Sequence, residues 1–376
     1  MRIGIITQSL QGNYGGILQN YALQTVLKHM GHSPTTIDQL GIWIPNKWND
    51  FIMNTKVFIY NFLYGKKKLY VSEFLSIRDK AIQNAKFFID KYIVTTPKCW
   101  EKTDFQKQAE INNFEAYIVG SDQVWRPRYA PNIETSFLDF AQGYKVKRIA
   151  YAASFGVDTW EYTTKQTETC KKLLEHFDAI SVREDSGIYL CREYLAANAI
   201  QVLDPTMLLD KEDYCKLLTS EHESTYGQIF SYILDMDESK KKYLNSIASS
   251  TGCDVFTVNQ EEPFSFFIPQ DDNKRCYPPI ESWLKAFRDS KYVVCDSFHG
   301  AVFSIIFNKP FVLLKNNKRG NARFLSLLKQ FHLEERLSDV KSAKEILFQP
   351  VDWSSVNHIR KQLKEESLNF LKKNLQ

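Results

Sequence analysis

The stretch AYIVGSDQVWRP, residues 116–127, passes from four apolar residues directly into a glycine, a serine, a carboxylate, an amide and a tryptophan. A short apolar run bounded by turn residues indicates a strand that is buried on both faces, as in a parallel sheet. The glycine and serine suffice to end the strand. Asp122, Gln123 and Trp125 need another explanation, and ligands of open α/β sheets bind outside the carboxyl ends of the strands. We therefore predict a ligand-binding loop here.

Similar apolar runs alternate with helical patterns along the rest of the chain. Strands are predicted at RIGIITQ, AYIVGS, KRIAYAAS, AISVRE and IQVLD in the first half, and at QIFSYIL, DVFTV, KYVVCDS and PFVLL in the second. Strands that alternate with helices in this way predict parallel, doubly wound sheets. At 376 residues the chain is too long for one ordinary core, so two such units are expected.

These patterns divide the chain into predicted domains. We expect an N-terminal Rossmann-like domain over 1–210, with an aromatic, basic, mostly helical insertion at about 43–92. A C-terminal Rossmann-like domain is expected over 211–350, and a terminal helix over 351–376 that returns to the first domain. The predicted fold class is thus α/β, with two doubly wound parallel-sheet domains that face a central cleft.

Bulk properties exclude several classes of function. Apolar residues at 44% and charged residues at 24% are typical of a folded globular protein. A net charge of +4 is too small for an extended nucleic-acid-binding face. No signal peptide or membrane-spanning run is visible, which predicts a cytoplasmic protein. The seven cysteines are scattered singly, which indicates reduced thiols, and no residue cluster has metal-ligand spacing, so no metal is expected.

The insertion has a composition of its own. IWIPNKWNDFIMNTKVFIYNFLYGKKK, residues 42–68, combines aromatic residues with lysines. Such a segment suits a surface that lies against anionic lipid or a lipid-linked acceptor, which would place the protein peripherally at a membrane. The alternative is a helical lid whose aromatic residues pack on the first domain.

A glycine-rich loop, QGNYGG at residues 11–16, follows the first predicted strand. It lacks both the G-x-G-x-x-G spacing of dinucleotide sites and the lysine of a P-loop. Its glycines nevertheless let backbone N–H groups approach an anion at a helix start. The candidate binding residues are Asn13, Tyr14, Gly15 and Gly16, and the alternative is a simple turn.

Further polar residues follow other predicted strands. An apolar strand delivers Arg183 to the working edge of the sheet, where its planar fork suits a carboxylate or phosphate, although such an arginine is often a surface ion-pair partner. His299 precedes an apolar helix, where the helix dipole favours anions, although a lone histidine is often structural. The remaining candidates share positions at strand ends or in the basic segment KNNKRGNAR: Ser121, Ser154, Ser297, Arg319 and Arg323.

Six segments in order carry a family resemblance. They are GNYGGILQNYALQ, VGSDQVW, YAASFG, SVRE, VLDPTMLL and DSFHGAVFSIIFNKPFV, and they extend over nearly the whole chain. Together they resemble the polysaccharide pyruvyl transferase family. That family is similar in fold to GT-B glycosyltransferases, in agreement with the tandem units. Its described members transfer pyruvate from phosphoenolpyruvate to two hydroxyls of a sugar, which forms a cyclic ketal and releases phosphate.

The resemblance also implies roles for residues. The resemblance implies that Arg183 and His299 bind phosphoenolpyruvate. Because phosphoenolpyruvate is the donor substrate, no cofactor is expected. Some members have Arg-Leu-His where this chain has Ser297-Phe298-His299, and Arg319 or Arg323 is our candidate to replace the missing arginine. Because ketal formation needs proton transfers, Asp122 and His299 are the candidate general acid and base.

The sugar side of the site is predicted from the remaining loop residues. Gln123 and Asp122 are positioned for sugar hydroxyls. Trp125 and Tyr14 would offer flat faces to the sugar, against the alternative that Trp125 packs under the loop. The acceptor is expected to be a saccharide or lipid-linked saccharide, in a surface or capsular polysaccharide precursor.

Two other functions remain open at the level of sequence. A nucleotide-sugar-dependent GT-B glycosyltransferase would commonly hold the ribose with a glutamate in the second domain, and no glutamate occurs between Cys295 and Arg323. A non-catalytic glycan-binding protein would keep the aromatic residues but has no need of Asp122, Arg183 and His299 in one cleft.

Overall fold

Two parallel sheets form the framework of the chain in this computed structural model, which describes residues 1–39, 47–130, 132–218, 227–262, 265, 267–268, 271–316 and 320–376. The first sheet contains β1 (Arg2–Ile6), β2 (Ser33–Thr36), β3 (Ala116–Val119), β4 (Lys147–Ala153), β5 (Ala179–Val182) and β6 (Ile200–Gln201). The second contains β7 (Ile229–Tyr232), β8 (Val255–Phe256), β9 (Tyr292–Cys295), β10 (Phe311–Leu314) and β11 (Leu337–Ser338).

Helices connect the strands and cover the sheets. Those of the first half are α1 (Tyr14–His29), α2 (Lys47–Tyr64), α3 (Val71–Ala81), α4 (Gln83–Tyr92), α5 (Lys102–Asn112), α6 (Thr164–Leu174) and α7 (Asp185–Leu195). Those of the second half are α8 (Lys211–Cys215), α9 (Glu238–Thr251), α10 (Ile280–Asp289), α11 (Phe298–Ile306), α12 (Ala322–Gln330), α13 (Ala343–Leu347) and α14 (Trp353–Asn374). None of the helices in the described ranges is long and apolar enough to cross a membrane.

The two sheets have the same strand arrangement. In the described residues the orders are β2-β1-β3-β4-β5-β6 and β11-β10-β9-β7-β8, and neighbouring strands are parallel. Each order reverses once, between β1 and β3 in the first sheet and between β7 and β9 in the second. The apolar runs are central strands: all four residues of β3 and of β10 are buried. The predicted α/β class with two doubly wound parallel sheets is confirmed.

The two halves share one hydrophobic core. The largest cluster of buried side chains contains Ile5 and Leu23 from the first half together with Trp283 and Phe303 from the second. At its edge, the hydroxyl of Tyr14 donates to the carbonyl of Pro278 at 2.6 Å. The junction between the sheets is therefore a packed interface as well as a candidate cleft.

The terminal helix α14 lies against the first half. The backbone N–H of Leu203 donates to Ser367 Oγ at 3.0 Å, and Arg360 donates to the carbonyl of Leu209 at 2.8 Å. The first sheet ends at Gln201 and the second begins at Ile229. The exact domain limits at 210 and 350 remain predictions. The first residues of the predicted insertion, 43–46, lie outside the described residues, and α2, α3 and α4 make up the rest.

Candidate active site

Loops at the carboxyl ends of the strands meet between the two sheets. The N-terminus of α1 follows β1, the loop 120–125 follows β3, and the N-terminus of α11 follows β9. All three therefore emerge beside a reversal of strand order. Because doubly wound sheets bind ligands at such reversals, this junction is the candidate active site.

Arg183 lies at the centre of the junction, directly after β5. Its Nη1 is 3.0 Å from Asp204 Oδ2, its Nη2 is 3.4 Å from Asp122 Oδ1, and its Nε is 3.8 Å from Glu184 Oε2. The guanidinium also lies over the ring of Phe298, 4.1 Å from the centroid. All of these side chains are buried. The Arg183 guanidinium, which we predicted to bind a ligand, is paired with protein carboxylates here. Direct binding of phosphoenolpyruvate by Arg183 therefore stays a prediction.

Asp122 is held by the loop after β1 as well as by Arg183. Its backbone has a φ of 64°, and its Oδ2 accepts a hydrogen bond from Asn13 Nδ2 at 3.1 Å. Burial alone raises the pKa of this carboxyl, but the charges of Arg183, His299 and Arg323 outweigh it and hold the pKa below its usual value. Asp122 is therefore ionised, which suits a proton acceptor or a hydroxyl-orienting group better than a general acid.

His299 lies in the first turn of α11 and faces the first half of the molecule. Its Nε2 is 3.7 Å from Asp204 Oδ2. This nitrogen is buried and has no hydrogen-bond partner among the described residues. A Cβ placed on Gly15 of α1 would lie 2.1 Å from Nδ1 of the same ring. Buried polar atoms normally have partners, so either a small shift toward Asp204 or a bound ligand would complete the contacts of Nε2.

Asp204 is a central member of the cluster that the sequence analysis missed. Its Oδ2 accepts from Arg183 and from Ser121 Oγ at 3.1 Å, and its Oδ1 accepts from the hydroxyl and backbone N–H of Thr206. Burial raises the pKa of Asp204, but His299, Arg183 and Thr206 lower it further than burial raises it. The sequence analysis predicted the strand IQVLD, which ends on Asp204, but did not select this carboxylate as a site residue. Asp204 could have been identified by the same feature as Asp122, a carboxylate at the carboxyl end of a predicted strand.

Glu184 is the other carboxylate that sequence reasoning left out. Its Oε1 accepts from Ser154 Oγ at 2.7 Å and from the backbone N–H of Gly156 at 3.0 Å. Ser154, predicted to bind substrate, is fully buried and serves to fix Glu184 beside Arg183. The predicted role of Ser154 in substrate contact is therefore replaced by a positioning role.

A second arginine approaches the cluster from the other half. Arg323 lies in the first turn of α12 and is buried. Burial and the nearby positive charge of Arg183 lower its pKa to about 10, against the opposing effects of Asp122 and Glu184. Two guanidinium groups are thus held close together, an arrangement that an added anion stabilises. The alternative candidate, Arg319, lies outside the described residues.

Several predicted contact residues have structural partners. Ser297 caps α11, because its Oγ accepts from the N–H of Gly300 at 3.1 Å. Ser121 is fully buried, and its N–H donates to Gln19 Oε1 at 3.1 Å, which ties the loop after β3 to α1. Gln123 remains half-buried, and its Oε1 accepts from Arg126 at 3.1 Å. A Cβ on Gly16 would lie 2.9 Å from Asn13 Nδ2, so the loop packs closely there.

The two predicted aromatic platforms are corrected by the structure. Trp125 is 0% exposed, its ring stacks on Phe137 at 5.0 Å, and its Nε1 donates to the carbonyl of Ser136. The packing alternative therefore holds for Trp125, because it has no face open to a sugar. Tyr14 is also buried, with its ring between Tyr277 and Trp283. It joins the two halves and reaches the cleft only at its edge.

An open cleft of about 460 Å³ lies next to the charged cluster. Asn13 connects the cleft to the charged cluster, since it lines the cleft and donates to Asp122. The lining comes from the strand-end loops of both halves and carries amides, hydroxyls and tyrosine rings: Ser9, Gln11, Gly12, Asn13, Tyr14, Tyr232, Ile233, Leu234, Asn259, Gln260 and Tyr277. These uncharged hydrogen-bonding groups suit a neutral polyhydroxylated ligand.

Within the residues that the structure describes, no group of three or more His, Cys, Asp or Glu side chains could hold a metal ion. The charged cluster alternates carboxylates with cations instead.

Three solved structures illustrate the similarity in fold. The S. aureus MnaA–UDP co-structure has a TM-score of 0.53 at 9% identity, covering 100% of this chain and 96% of that one. UDP-GlcNAc 2-epimerase from Neisseria meningitidis bound to UDP-GlcNAc also reaches 0.53 at 9% identity, covering 100% and 99%. Arabidopsis thaliana UGT89C1 complexed with UDP reaches 0.51 at 7% identity, covering 98% of each chain. The predicted GT-B-like fold is confirmed, and similarity at this identity concerns the fold alone.

Sequence comparison decides the family. No curated protein matches the chain. The sequence pattern of the family described as Polysaccharide pyruvyl transferase matches residues 13–318, which include α1, the carboxylates and arginine at Asp122, Arg183 and Asp204, and the start of α11. The chain therefore belongs to the polysaccharide pyruvyl transferase family and is a transferase.

Proposed function

We propose that this protein transfers pyruvate from phosphoenolpyruvate to two hydroxyls of one sugar, giving a cyclic ketal and inorganic phosphate. The observation that carries the proposal is His299: its Nε2 is buried without a hydrogen-bond partner among the described residues, 3.7 Å from an ionised carboxylate. An imidazole can both accept and donate a proton, so a histidine at this position is suited to proton transfer. The acceptor is a saccharide, in a surface or capsular polysaccharide precursor.

The reaction sets defined requirements for the site. Two sugar oxygens bond to C2 of phosphoenolpyruvate and the bond from C2 to the phosphate oxygen breaks. Of the two hydroxyl protons, one ends on the former methylene carbon and the other leaves with phosphate. His299 is the proposed proton-transfer group, and ionised Asp122 is proposed to orient or deprotonate an acceptor hydroxyl.

Two anionic groups of phosphoenolpyruvate need cationic partners. Arg323 is proposed to bind one of them directly, because its charge is held in a buried position beside Arg183 and is stabilised by added negative charge. Arg183 is proposed to stabilise the bound anion through its positive charge. Since three carboxylates already surround it, we expect its guanidinium to move only partly toward the ligand. Arg319 stays a further candidate for the same role.

The acceptor sugar is proposed to lie in the open cleft beside Asn13. Its amide-rich and hydroxyl-rich lining can exchange hydrogen bonds with sugar hydroxyls, and Tyr277 and Tyr232 supply aromatic edges. A hydroxyl near Asn13 would come close to Asp122, because Asn13 donates to that carboxylate.

Product analysis tests the proposal against its alternatives. The protein is incubated with phosphoenolpyruvate, UDP-sugars and a panel of acceptor saccharides. We expect inorganic phosphate and a ketal methyl signal in the NMR spectrum of the product. His299→Ala is expected to lower the rate on the order of 100-fold, whereas His358→Ala, an exposed histidine of α14, should leave it unchanged.

Three results would contradict pyruvyl transfer. Release of a nucleoside diphosphate would assign a glycosyltransferase. Glycan binding without turnover would assign a binding protein. Absence of phosphoenolpyruvate binding at millimolar concentration by calorimetry, with acceptor present, would also reject the proposed donor.

A further inference from the structure

Helix α2 turns an apolar side toward solvent. Phe62 is 81% exposed, and Phe51 and Phe58 are also exposed. The spacings of seven residues from Phe51 to Phe58 and of four from Phe58 to Phe62 place all three on one side of the helix. Val57, on the opposite side, is buried. We call the exposed side the apolar face and define it by these residues: Phe51, Ile52, Phe58, Ile59, Phe62 and Leu63.

This orientation decides between the two alternatives left open by the sequence. A lid that packs its aromatic residues on the first domain would bury them, because an amphipathic helix normally directs its apolar side to a core. In the structure α2 contacts the body of the protein through the side that carries Val57 and through α3. The packed-lid alternative is therefore wrong for the apolar face.

The end of α2 is tied to the second half of the molecule. The backbone N–H of Ile268 donates to the carbonyl of Lys67 at 2.9 Å, and Tyr60 packs edge-on against Phe267 at 6.3 Å. Phe267 and Ile268 are themselves exposed. The apolar surface thus continues from α2 onto a segment of the second half, and both its position and its direction are fixed.

Positive charge surrounds the apolar face. Residues 47–68 contain five lysines and one aspartate. Lys56, Lys66 and Lys67 are exposed, and the ion pair of Lys66 with Glu73, 3.6 Å long, is exposed as well and contributes little. Lys68 lies over the ring of Tyr60, 3.9 Å from its centroid. Exposed aromatic residues flanked by lysines complement a lipid surface, which has an anionic headgroup layer over an apolar acyl region.

We propose that the apolar face and its lysines bind this protein to an anionic lipid surface. The helix lies in the plane of the interface, since it is too polar overall to cross a bilayer. Phenylalanine and leucine side chains enter the boundary of the acyl chains, while Lys56, Lys66 and Lys67 contact lipid phosphates. A second copy of the chain fits less well, because its own apolar face brings the same excess of lysines. This inference is independent of the reaction proposed above.

Vesicle flotation of the full chain tests the proposal. Vesicles of phosphatidylcholine with about one third phosphatidylglycerol are compared with pure phosphatidylcholine, at low and at high salt. We expect the protein to float with the anionic vesicles at low salt, and more weakly with the others. Phe58→Glu with Phe62→Glu should reduce the bound fraction by about tenfold or more. Lys66→Gln and Lys67→Gln should each weaken binding roughly fivefold.

A matched control distinguishes binding through the apolar face from nonspecific hydrophobic binding. Ile111 is an apolar residue that is 61% exposed on another helix, α5, and Ile111→Glu should leave flotation unchanged. Circular dichroism of every variant checks that the fold is retained. The proposal is overturned if the parent does not float with anionic vesicles at low salt, or if Phe58→Glu with Phe62→Glu floats as well as the parent. Sedimentation equilibrium that shows a dimer dissociated by Phe62→Glu would assign the face to a second copy and overturn it as well.

Discussion

Gly15 of the first half and His299 of the second are in direct contact. A Cβ at position 15 would come within 2.1 Å of His299 Nδ1 and 2.7 Å of its Cβ, so the imidazole occupies the space that any side chain at Gly15 would need. The glycine that follows β1 therefore sets the position of the histidine that follows β9. Neither half of the molecule by itself defines the proposed catalytic geometry.

We predict that Gly15→Ala displaces His299 and lowers turnover on the order of 100-fold while the fold survives, because a displacement of about 1 Å is enough for such a loss. Phosphate release from phosphoenolpyruvate measures it. In a His299→Gly background the same change should have almost no further effect, since both the ring and the Cβ that it meets are gone. Equal losses in both backgrounds would show that Gly15 acts through the loop rather than through His299.

Arg183→Lys is predicted to destabilise the protein. A lysine keeps the charge but loses the planar fork that reaches Asp204 and Asp122 together. We expect the free energy of unfolding in urea to fall by about 2 kcal/mol or more, toward the 3–5 kcal/mol of a broken buried pair. Arg192→Lys, whose ion pair with Glu193 is exposed, should change it by less than about 0.5 kcal/mol. A fully stable Arg183→Lys protein would contradict the central role of the fork.

Arg323→Met is predicted to separate stability from function. Burial and Arg183 lower the pKa of Arg323 to about 10, so its charged form is disfavoured in the folded protein. Removing the charge relieves this cost of burial but also removes the polar contacts of Arg323, so we expect the free energy of unfolding at pH 7 to change little. Calorimetric affinity for phosphoenolpyruvate should fall by at least tenfold. Unchanged affinity would remove Arg323 from the donor site.

Acid is predicted to destabilise the protein through Asp204 and Asp122. Their surroundings lower the pKa of both carboxyls in the folded state, so each contributes stability above its unfolded pKa of about 3.9. That contribution is lost as the pH falls from about 4 toward the lower folded values. Urea unfolding between pH 7 and pH 3, at about one-unit steps, measures it.

Asp204→Asn supplies the control for this pH dependence. It should be less stable than the parent at pH 7, because Arg183 loses a buried partner, and it should lose less stability on acidification. Asp158→Asn, an exposed carboxylate, should retain the parent profile. Parallel profiles of the parent and Asp204→Asn would show that this carboxylate is not responsible.

The α/β class, the two parallel sheets and the sheet edge that carries the candidate site could be predicted from the sequence alone. Those features follow from local patterns: apolar runs such as AYIV form central strands, and the helix after each strand forces the next to be parallel. Parallel strands bring their following loops to one edge, so Asp122, Arg183 and His299 were found from strand ends alone. The strand β2, SPTT, gave no such signal, because it is a short strand at the edge of the sheet and begins with Ser33-Pro34.

The contacts of those residues, and the solvent exposure of side chains, could be learned only from the tertiary structure. The pairing of Arg183 with Asp204, the burial of Trp125 and the packing of Gly15 on His299 all depend on residues far apart in the chain. The composition of residues 42–68 indicated an aromatic, basic segment but not which of its residues face solvent. Burial is set by what the rest of the chain places against a surface, and no local pattern contains that information.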